Sequence, residues 1–167
     1  MKKVLVVSFV FAFVFAGEVC AQKFGHVNQA QIVQAMPEYT AAQTEIQTLA
    51  KQYEEELKRM QDELQTKMTT YEKDAATLPD AVKQRREQEL QELNQRLQQY
   101  YQSSQEDLEQ KRTEKLSEIG EKVQKAIKEV GTAGGYVYIM DINSLPFINE
   151  GLSTDVTDEV KAKLGIQ

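Results

Sequence analysis

Cysteine is almost absent from this chain of 167 residues, whose one cysteine stands at position 20. Cys20 lies within a segment that has the pattern of a secretory signal peptide, so the sequence predicts a mature chain without cysteine. Such a chain forms neither a disulfide nor a thiolate site. Its stability then has to come from packing and from association between copies.

Histidine and phosphate-binding motifs are equally scarce. His26 is the one histidine, and without a second histidine or a cysteine as partner we expect it to be a surface or interface residue. The "GTAGG" of residues 131–135 follows a helical pattern and lacks a P-loop lysine, so it predicts a helix stop and turn. "DIN" at residues 141–143 lacks the rest of a calcium loop. We therefore expect no enzyme, catalytic residue, metal or cofactor.

The first twenty-one residues have the parts of a signal peptide. Two lysines precede a continuous apolar run at residues 4–16, and "VCA" at 19–21 ends in the small residue that signal peptidase requires. A membrane anchor is one alternative, but thirteen apolar residues fall short of the ~20 needed to span a bilayer. A lipoprotein anchored at Cys20 is another, which the bulky Val19 disfavours. The sequence predicts cleavage after Ala21 and a periplasmic protein.

Acidic residues outnumber basic ones by 26 to 20, which gives a formal net charge of −6, or −7 once Lys2, Lys3 and Glu18 leave with the signal peptide. An acidic chain is a poor partner for nucleic acid. Residues 67–86 depart from this balance, with five basic residues against three acids. Chance on a solvated turn is the simplest explanation. The alternative is a contact site for anionic lipid or an acidic partner, with the candidates Lys73, Lys83, Arg85 and Arg86.

Glycine is missing between Gly25 and Gly120, and the prolines of that stretch are Pro37 and Pro79. Long helices are therefore permitted, with Pro37 in a first turn and Pro79 at the start of the second helix. Apolar residues recur every ~3.55 positions over 39–78 and every ~3.7 over 82–130, near coiled-coil spacing. The short turn between them predicts an antiparallel hairpin.

The second helix has a thin apolar stripe, interrupted by polar side chains. Adjacent residues cannot both face one seam; with Tyr101 in the stripe, Tyr100 points to solvent, a neighbouring subunit or a bound chain. The narrow seam predicts an arm held from its base with a mobile tip. The central part of the stripe runs through Leu97, Tyr101, Ser104, Leu108, Arg112, Leu116 and Ile119.

The two ends of the chain have a different composition. Residues 23–33 begin as a strand and turn helical, "YVYIMDI" at 136–142 is a second strand, and "FIN" at 147–149 is a third after a turn. A last short helix lies within 153–165, with Asp155 as N-cap and Gly165 as stop. Residues 136–142 pair with 24–28 if the hairpin returns the chain to its starting point.

The predicted fold is α+β, mostly α: a long antiparallel helical hairpin, or coiled-coil arm, protruding from a small β-rich body built from both chain ends. The predicted divisions are a signal peptide at 1–21, the N-terminal part of the body at 22–36, the arm at 37–119 with its tip near 78–80, and the C-terminal part of the body at 120–167.

Four stretches, taken in order, resemble the Skp/OmpH family of periplasmic chaperones. The resemblance covers essentially the whole mature chain, and the order and spacing of the stretches make it specific. They are "FGHVNQAQIVQAMPEY" (24–39), "LPDAVKQRREQELQELNQRLQQY" (78–100), "KVQKAIKEVGTAGGYVYIMD" (122–141) and "STDVTDEVKAKLG" (153–165).

The resemblance implies a jellyfish-shaped homotrimer in which arms surround a cavity that holds unfolded outer-membrane proteins without ATP. The alternative is a structural coiled-coil spacer or adaptor of the envelope. The best-known members are strongly basic, so the acidic charge argues against lipopolysaccharide or anionic lipid contact here. Candidate residues for the trimer and body core are Phe24, Val27, Val137, Ile139, Ile142 and Phe147, and candidate client contacts are Tyr100, Met68 and Tyr71.

Overall fold

The structure, a computed structural model, describes residues 22–166; the predicted signal peptide lies outside the described residues. It is mostly helical with a small sheet, as predicted. In chain order the elements are β1 (Lys23–Val27), α1 (Gln29–Ala35), α2 (Pro37–Asp74), α3 (Asp80–Gly134), β2 (Tyr136–Asp141), β3 (Ser153–Asp155) and α4 (Thr157–Leu164), with a 3₁₀ turn at Ile142–Ser144.

The two long helices begin at the prolines, as the sequence predicts. Pro37 occupies the first turn of α2, and Pro79 is the N-cap of α3. The first helix is shorter than the apolar stripe suggested, because α2 ends at Asp74 and residues 75–78 form a turn. A proline disfavours helical backbone in the residue before it, which explains why Leu78 lies outside the helix.

Helix α3 runs through Gly120 and Gly131 without a break and ends at Gly134. Gly135 supplies the stop with a left-handed φ of 68°. Gly131 therefore belongs to the helix and not to the stop. A side chain at Gly131 would approach Cδ1 of Ile139 to 3.3 Å, so this glycine permits close packing of β2 on α3.

Helices α2 and α3 lie side by side and run in opposite directions. At a rise of 1.5 Å per residue they are about 57 and 82 Å long. Their side chains meet along the whole of α2. As the residue number of the α2 partner rises, that of the α3 partner falls. The cross-helix contacts include Glu38–Lys122, Glu45–Lys115, Tyr53–Asp107 and Tyr71–Glu87.

The predicted stripe of α3 is wrong by one position at Tyr101, Arg112 and Leu116. The other members of its central part are buried or half-buried as predicted: Leu97, Ser104, Leu108 and Ile119. Tyr101 is 55% exposed and Leu116 is also exposed, whereas Ser104 is only 2% exposed. Arg112 is exposed as well. Tyr100 and Lys115 take the seam-side places, and Lys115 Nζ lies 2.9 Å from Glu45 Oε2. A stripe of bulky side chains does not include polar residues that bond across the seam, such as Lys115.

The sheet of the described residues has three parallel strands in the order β2-β1-β3. The predicted pairing of β2 with β1 is confirmed, with Phe24 opposite Tyr138 and Val27 opposite Asp141. The predicted strand at 147–149 is wrong. Those residues lie in a loop that turns at Asn149, whose Oδ1 accepts from Gly151 N at 3.0 Å, and the third strand is β3.

The end of the chain closes the core of the body. Val156 and Val160 are fully buried. The prediction of Asp155 as N-cap is wrong: Asp155 ends β3, and its Oδ1 accepts from Thr157 N at 2.9 Å. Gly165 ends α4 as predicted, with a φ of 73°. The buried core consists of Val27, Ile32, Met36, Ala42, Ile119, Val123, Ala126, Ile127, Val156 and Val160.

Among residues 22–166, no helix has the combination of length and apolar character that crossing a membrane requires.

Replacement by alanine should have opposite effects at Gly135, which follows α3, and at Gly120, which lies inside it. Gly135→Ala should destabilise the protein by about 1 kcal/mol, because an L residue is strained at positive φ. Gly120→Ala should stabilise it by about 0.5–1 kcal/mol, because Gly120 is helical and a Cβ there meets no atom within 4 Å. Urea unfolding followed by circular dichroism measures both. Changes of the same sign would contradict the backbone assignment.

Candidate functional site

One face of the sheet packs on the helices of its own chain. Gly25 of β1 lies under Ile139 of β2, since a Cβ at Gly25 would stand 3.0 Å from Cγ1 of Ile139. Val27, two residues along β1, is fully buried. Ile139 is half-buried against the core. This face thus belongs to the protomer itself.

The opposite face of the sheet carries aromatic and apolar side chains that its own chain covers incompletely. Phe24 and Tyr138 stack with their ring centroids 4.9 Å apart. Tyr138 and the next residue on that face, Met140, are both exposed. β2 is also an edge strand, with one side of its backbone unpaired by β1. An uncovered apolar face beside an open strand edge is typical of an association surface.

The loop that leads from β2 to β3 also carries exposed apolar side chains. Phe147 is 78% exposed and Leu152 is 76% exposed. We call the exposed apolar side chains of β2 and of the loop, taken as a set, the β2-loop patch. Its members are Val137, Tyr138, Met140, Ile142, Phe147 and Leu152.

The structure divides the residues proposed for the trimer and body core. Val27 lies in the core, and Phe24 and Ile139 are half-buried. Val137, Ile142 and Phe147 lie in the β2-loop patch. Tyr138, Met140 and Leu152 were not predicted. The pairing register shifts between Lys23 and Phe24, so two residues of β2 pass one of β1 and the alternation of faces changes after Val137.

His26 is buried within its own chain, whereas the sequence predicts a surface or interface residue. It is 5% exposed in the central strand, and its Nδ1 lies 2.8 Å from Ser153 Oγ of β3. The backbone strengthens the same junction, because Val156 N donates to His26 O at 2.9 Å. His26 therefore joins the two chain ends. Within residues 22–166, no three His, Cys, Asp or Glu side chains are grouped so as to hold a metal ion.

On the arm, the two adjacent tyrosines exchange their predicted places. Tyr100 is half-buried and meets Tyr53 edge to face, with ring centroids 5.9 Å apart. Tyr101 points outward. Of the other candidate client contacts, Met68 is exposed, and Tyr71 is half-buried with its hydroxyl donating to Glu87. Tyr101 is thus an outward-facing aromatic that the sequence prediction missed.

Tyr53 also ties the two helices together through its hydroxyl group, which donates to Asp107 Oδ2 at 2.7 Å. This bond raises the pKa of Tyr53, because the carboxylate stabilises the protonated phenol and burial adds to the effect. Tyr71 follows the same pattern, since its bond to Glu87 raises the pKa of the Tyr71 phenol. Both cross-helix bonds are polar, as is the Lys115–Glu45 bond closer to the body.

The basic candidates at the tip lie close to acids. Lys83 lies 3.9 Å from Asp80, and both Arg85 and Arg86 lie 3.2 Å from oxygens of Glu89. Glu87 and Glu89 stand just beyond the stretch that suggested a basic site. With them included, residues 67–89 hold five basic and five acidic residues, so the local charge is zero. Lys73 is the last basic residue of α2.

An apolar groove of about 1040 Å³ runs along the first turns of α2 beside α3. Thr40, Thr44 and Thr48 line it at successive turns. The hydroxyls of Thr44 and Thr48 donate to helix carbonyls at 3.0 and 2.8 Å. Those hydroxyls are therefore satisfied within the helix. Pro37 and Leu49 extend the apolar lining.

The described residues combine a long polar helix pair, a small sheet and exposed apolar side chains. This combination is typical of a protein that binds or scaffolds other chains. The family described as outer membrane protein (OmpH-like) matches residues 23–164. The chain therefore belongs to the OmpH-like family, and the resemblance found in the sequence is confirmed.

Curated relatives agree with this membership, and a solved structure shares the fold. The chain is 28% identical over 165 residues to the chaperone protein Skp of Photorhabdus laumondii, covering 96% of this chain and all of the relative. It is 32% identical over 143 residues to the chaperone protein Skp of Yersinia pseudotuberculosis, covering 84% and 87%. An OmpH-like outer membrane chaperone of Caulobacter crescentus superposes with a TM-score of 0.75 at 19% identity, covering 86% of this chain and 83% of that one.

The cross-helix hydrogen bonds of Tyr53 and Tyr71 predict that the pairing of α2 with α3 becomes less stable at alkaline pH. Both pKa values are raised on folding, so the stabilisation is complete below the ordinary tyrosine pKa of about 10 and is lost as the pH rises through the folded values. Tyr53→Phe should lower the thermal midpoint at neutral pH and reduce its fall above pH ~10. Tyr101→Phe is the matched control, because Tyr101 faces solvent. An unchanged alkaline profile in Tyr53→Phe would contradict the assignment.

Proposed function

We propose that this protein is an ATP-independent periplasmic holdase that binds unfolded outer-membrane proteins between helical arms and prevents their aggregation. Membership of the OmpH-like family supports the chaperone class, since the curated relatives are named as Skp chaperones. The homotrimer, the client class and the export to the periplasm are the finer parts of the proposal. The structural observation that bears most on it is the β2-loop patch.

Association of copies through the β2-loop patch would cover what the single chain leaves exposed. A small three-stranded sheet with one uncovered face is a weak unit by itself. Phe147 and Leu152 are each more than three-quarters exposed, and burial of one such side chain contributes about 1.5–3 kcal/mol. Three copies joined at this patch would place three arms around one space, as in the proposed trimer.

The arms would hold clients through many weak contacts. Their exposed apolar side chains are dispersed along the hairpin and include Met68, Val82, Tyr101 and Leu116. Contacts of this kind bind little individually, and their sum rises when several arms engage one chain. The groove beside Thr40, Thr44 and Thr48 adds apolar surface near the body. Weak, separable contacts fit a protein that releases its client without ATP.

The trimer proposal predicts that a charge within the β2-loop patch leaves monomers. Val137→Asp and Phe147→Asp should each reduce the mass found by light scattering to that of one chain, because an aspartate would be buried unpaired at the subunit contact. Leu116→Asp, an exposed apolar position on α3, should keep the wild-type mass. A trimer that survives both patch substitutions would refute the assignment.

Ile139→Asp is also expected to leave monomers, but it is a less specific test. Ile139 packs against Gly25 and Gly131 of its own chain, so the substitution would weaken the protomer as well. Circular dichroism separates the two effects: Val137→Asp should keep the helical signal of the wild type, whereas Ile139→Asp should melt at a lower temperature.

The holdase proposal predicts suppression of aggregation at stoichiometric amounts of trimer. A β-barrel membrane protein is denatured, diluted with and without the purified protein in the absence of ATP, and followed by light scattering. The wild type should suppress the rise, and Val137→Asp, with identical arms on a monomer, should suppress it much less. If the wild-type trimer has no effect, the chaperone function is wrong, and the coiled-coil spacer, which the cross-helix bonds favour, takes its place.

A further inference from the structure

We infer that the mature chain begins with pyroglutamate, formed from Gln22 after the signal peptide is removed. The inference rests on the export and cleavage after Ala21 in the proposed function. Cleavage there makes Gln22 the first residue and gives it a free α-amino group. Glutamine is then the one residue of this region that has both an N-terminal amine and a side-chain amide within reach of each other.

The reaction is an intramolecular amide exchange. The lone pair of the α-amino nitrogen attacks Cδ of the side-chain amide, and a five-membered ring of N, Cα, Cβ, Cγ and Cδ closes. The side-chain nitrogen takes a proton that the attacking amine gives up and leaves as ammonia. One C–N bond forms and one breaks, so no oxidant, reductant or second substrate is needed. The attacking form is the unprotonated amine, which is present near neutral pH because an α-amino group has a pKa of about 7.7–8.0.

The structure leaves Gln22 free for this reaction. Gln22 is exposed and lies outside the sheet, immediately before the first residue of β1. The sheet begins at Lys23, which pairs with Tyr136. Ring closure at Gln22 therefore requires no strand hydrogen bond to break. Chain ends that precede the first ordered element are the part of a fold most open to such chemistry.

Cyclisation also changes the charge at the start of β1. Lys23 Nζ donates to Gly134 O at 3.2 Å, so a positive charge already stands at the carbonyl end of α3, where cations are favourable. A free amine on Gln22 would add a second positive charge next to the first. The lactam is neutral, so the modification removes this repulsion and leaves Lys23 as the partner of the helix end.

The test uses the full chain, exported by a Gram-negative host and purified from the periplasmic fraction. Intact-mass spectrometry and sequencing of the N-terminal peptide by tandem mass spectrometry identify the first residue. The expected result is a chain that starts at Gln22 and is lighter than the unmodified chain by one ammonia. Gln22→Ala is the matched control and should start at the same position with a free amine and no ammonia loss.

A second readout is resistance to an aminopeptidase. The wild-type chain should keep its first residue, because the lactam has no free amine, whereas Gln22→Ala should lose the substituted residue. A chain that begins at Gln22 and keeps its amine through prolonged incubation at neutral pH overturns the inference. So does a chain that begins elsewhere, including one lipidated at Cys20, which would also overturn the proposed cleavage. The holdase function is tested separately by light scattering, and neither outcome decides it.

Discussion

The fold depends on the parallel pairing of β1 with β2. Parallel strands cannot be joined by a tight turn and require a long crossover. Here the crossover is α1, α2 and α3, and because α2 and α3 run antiparallel the chain comes back to where it began. β3 then pairs with the other side of β1, and His26 bonds to Ser153 across that junction. The sheet of the body therefore depends on the hairpin. Without the return of α3, β1 would have no neighbouring strand on either side.

Burial is concentrated at that junction. The fully buried side chains, such as Val27, Val123 and Val156, come from β1, the last turns of α3 and the residue between β3 and α4. Farther along the hairpin, α2 and α3 are joined largely by polar bonds such as Tyr53–Asp107, and few apolar side chains are enclosed. Polar surface contacts of this kind contribute little stability each. The body then anchors the arm, and the arm's outer surface remains available for other chains.

The sequence predicted the helices well because glycine and proline act locally. Pro37 and Pro79 start helices and Gly135 ends one, whatever the rest of the chain does. Prediction from the sequence failed where the position of a side chain depends on a partner that is distant along the chain. The Tyr100–Tyr101 exchange depends on Tyr53, which is distant in the sequence and lies on the opposite helix, and the burial of His26 depends on Ser153. The sequence could not predict that Tyr138 and Met140 share an exposed face. That arrangement follows from the register shift beside Lys23, which arises only when β1 pairs with β2.

The negative charge of the chain would help to keep the cavity of the proposed trimer open. Each mature chain of −7 would carry its acids mostly along the arm, where several form pairs within one helix, such as Lys51–Glu55 and Arg59–Glu56. In the proposed trimer, three such arms would repel one another over distances up to the Debye length of about 8–10 Å. That repulsion would oppose collapse of the arms onto each other when no client is present. A client would enter by apolar and hydrogen-bonding contacts, since the tip has no net positive charge to attract an acidic chain.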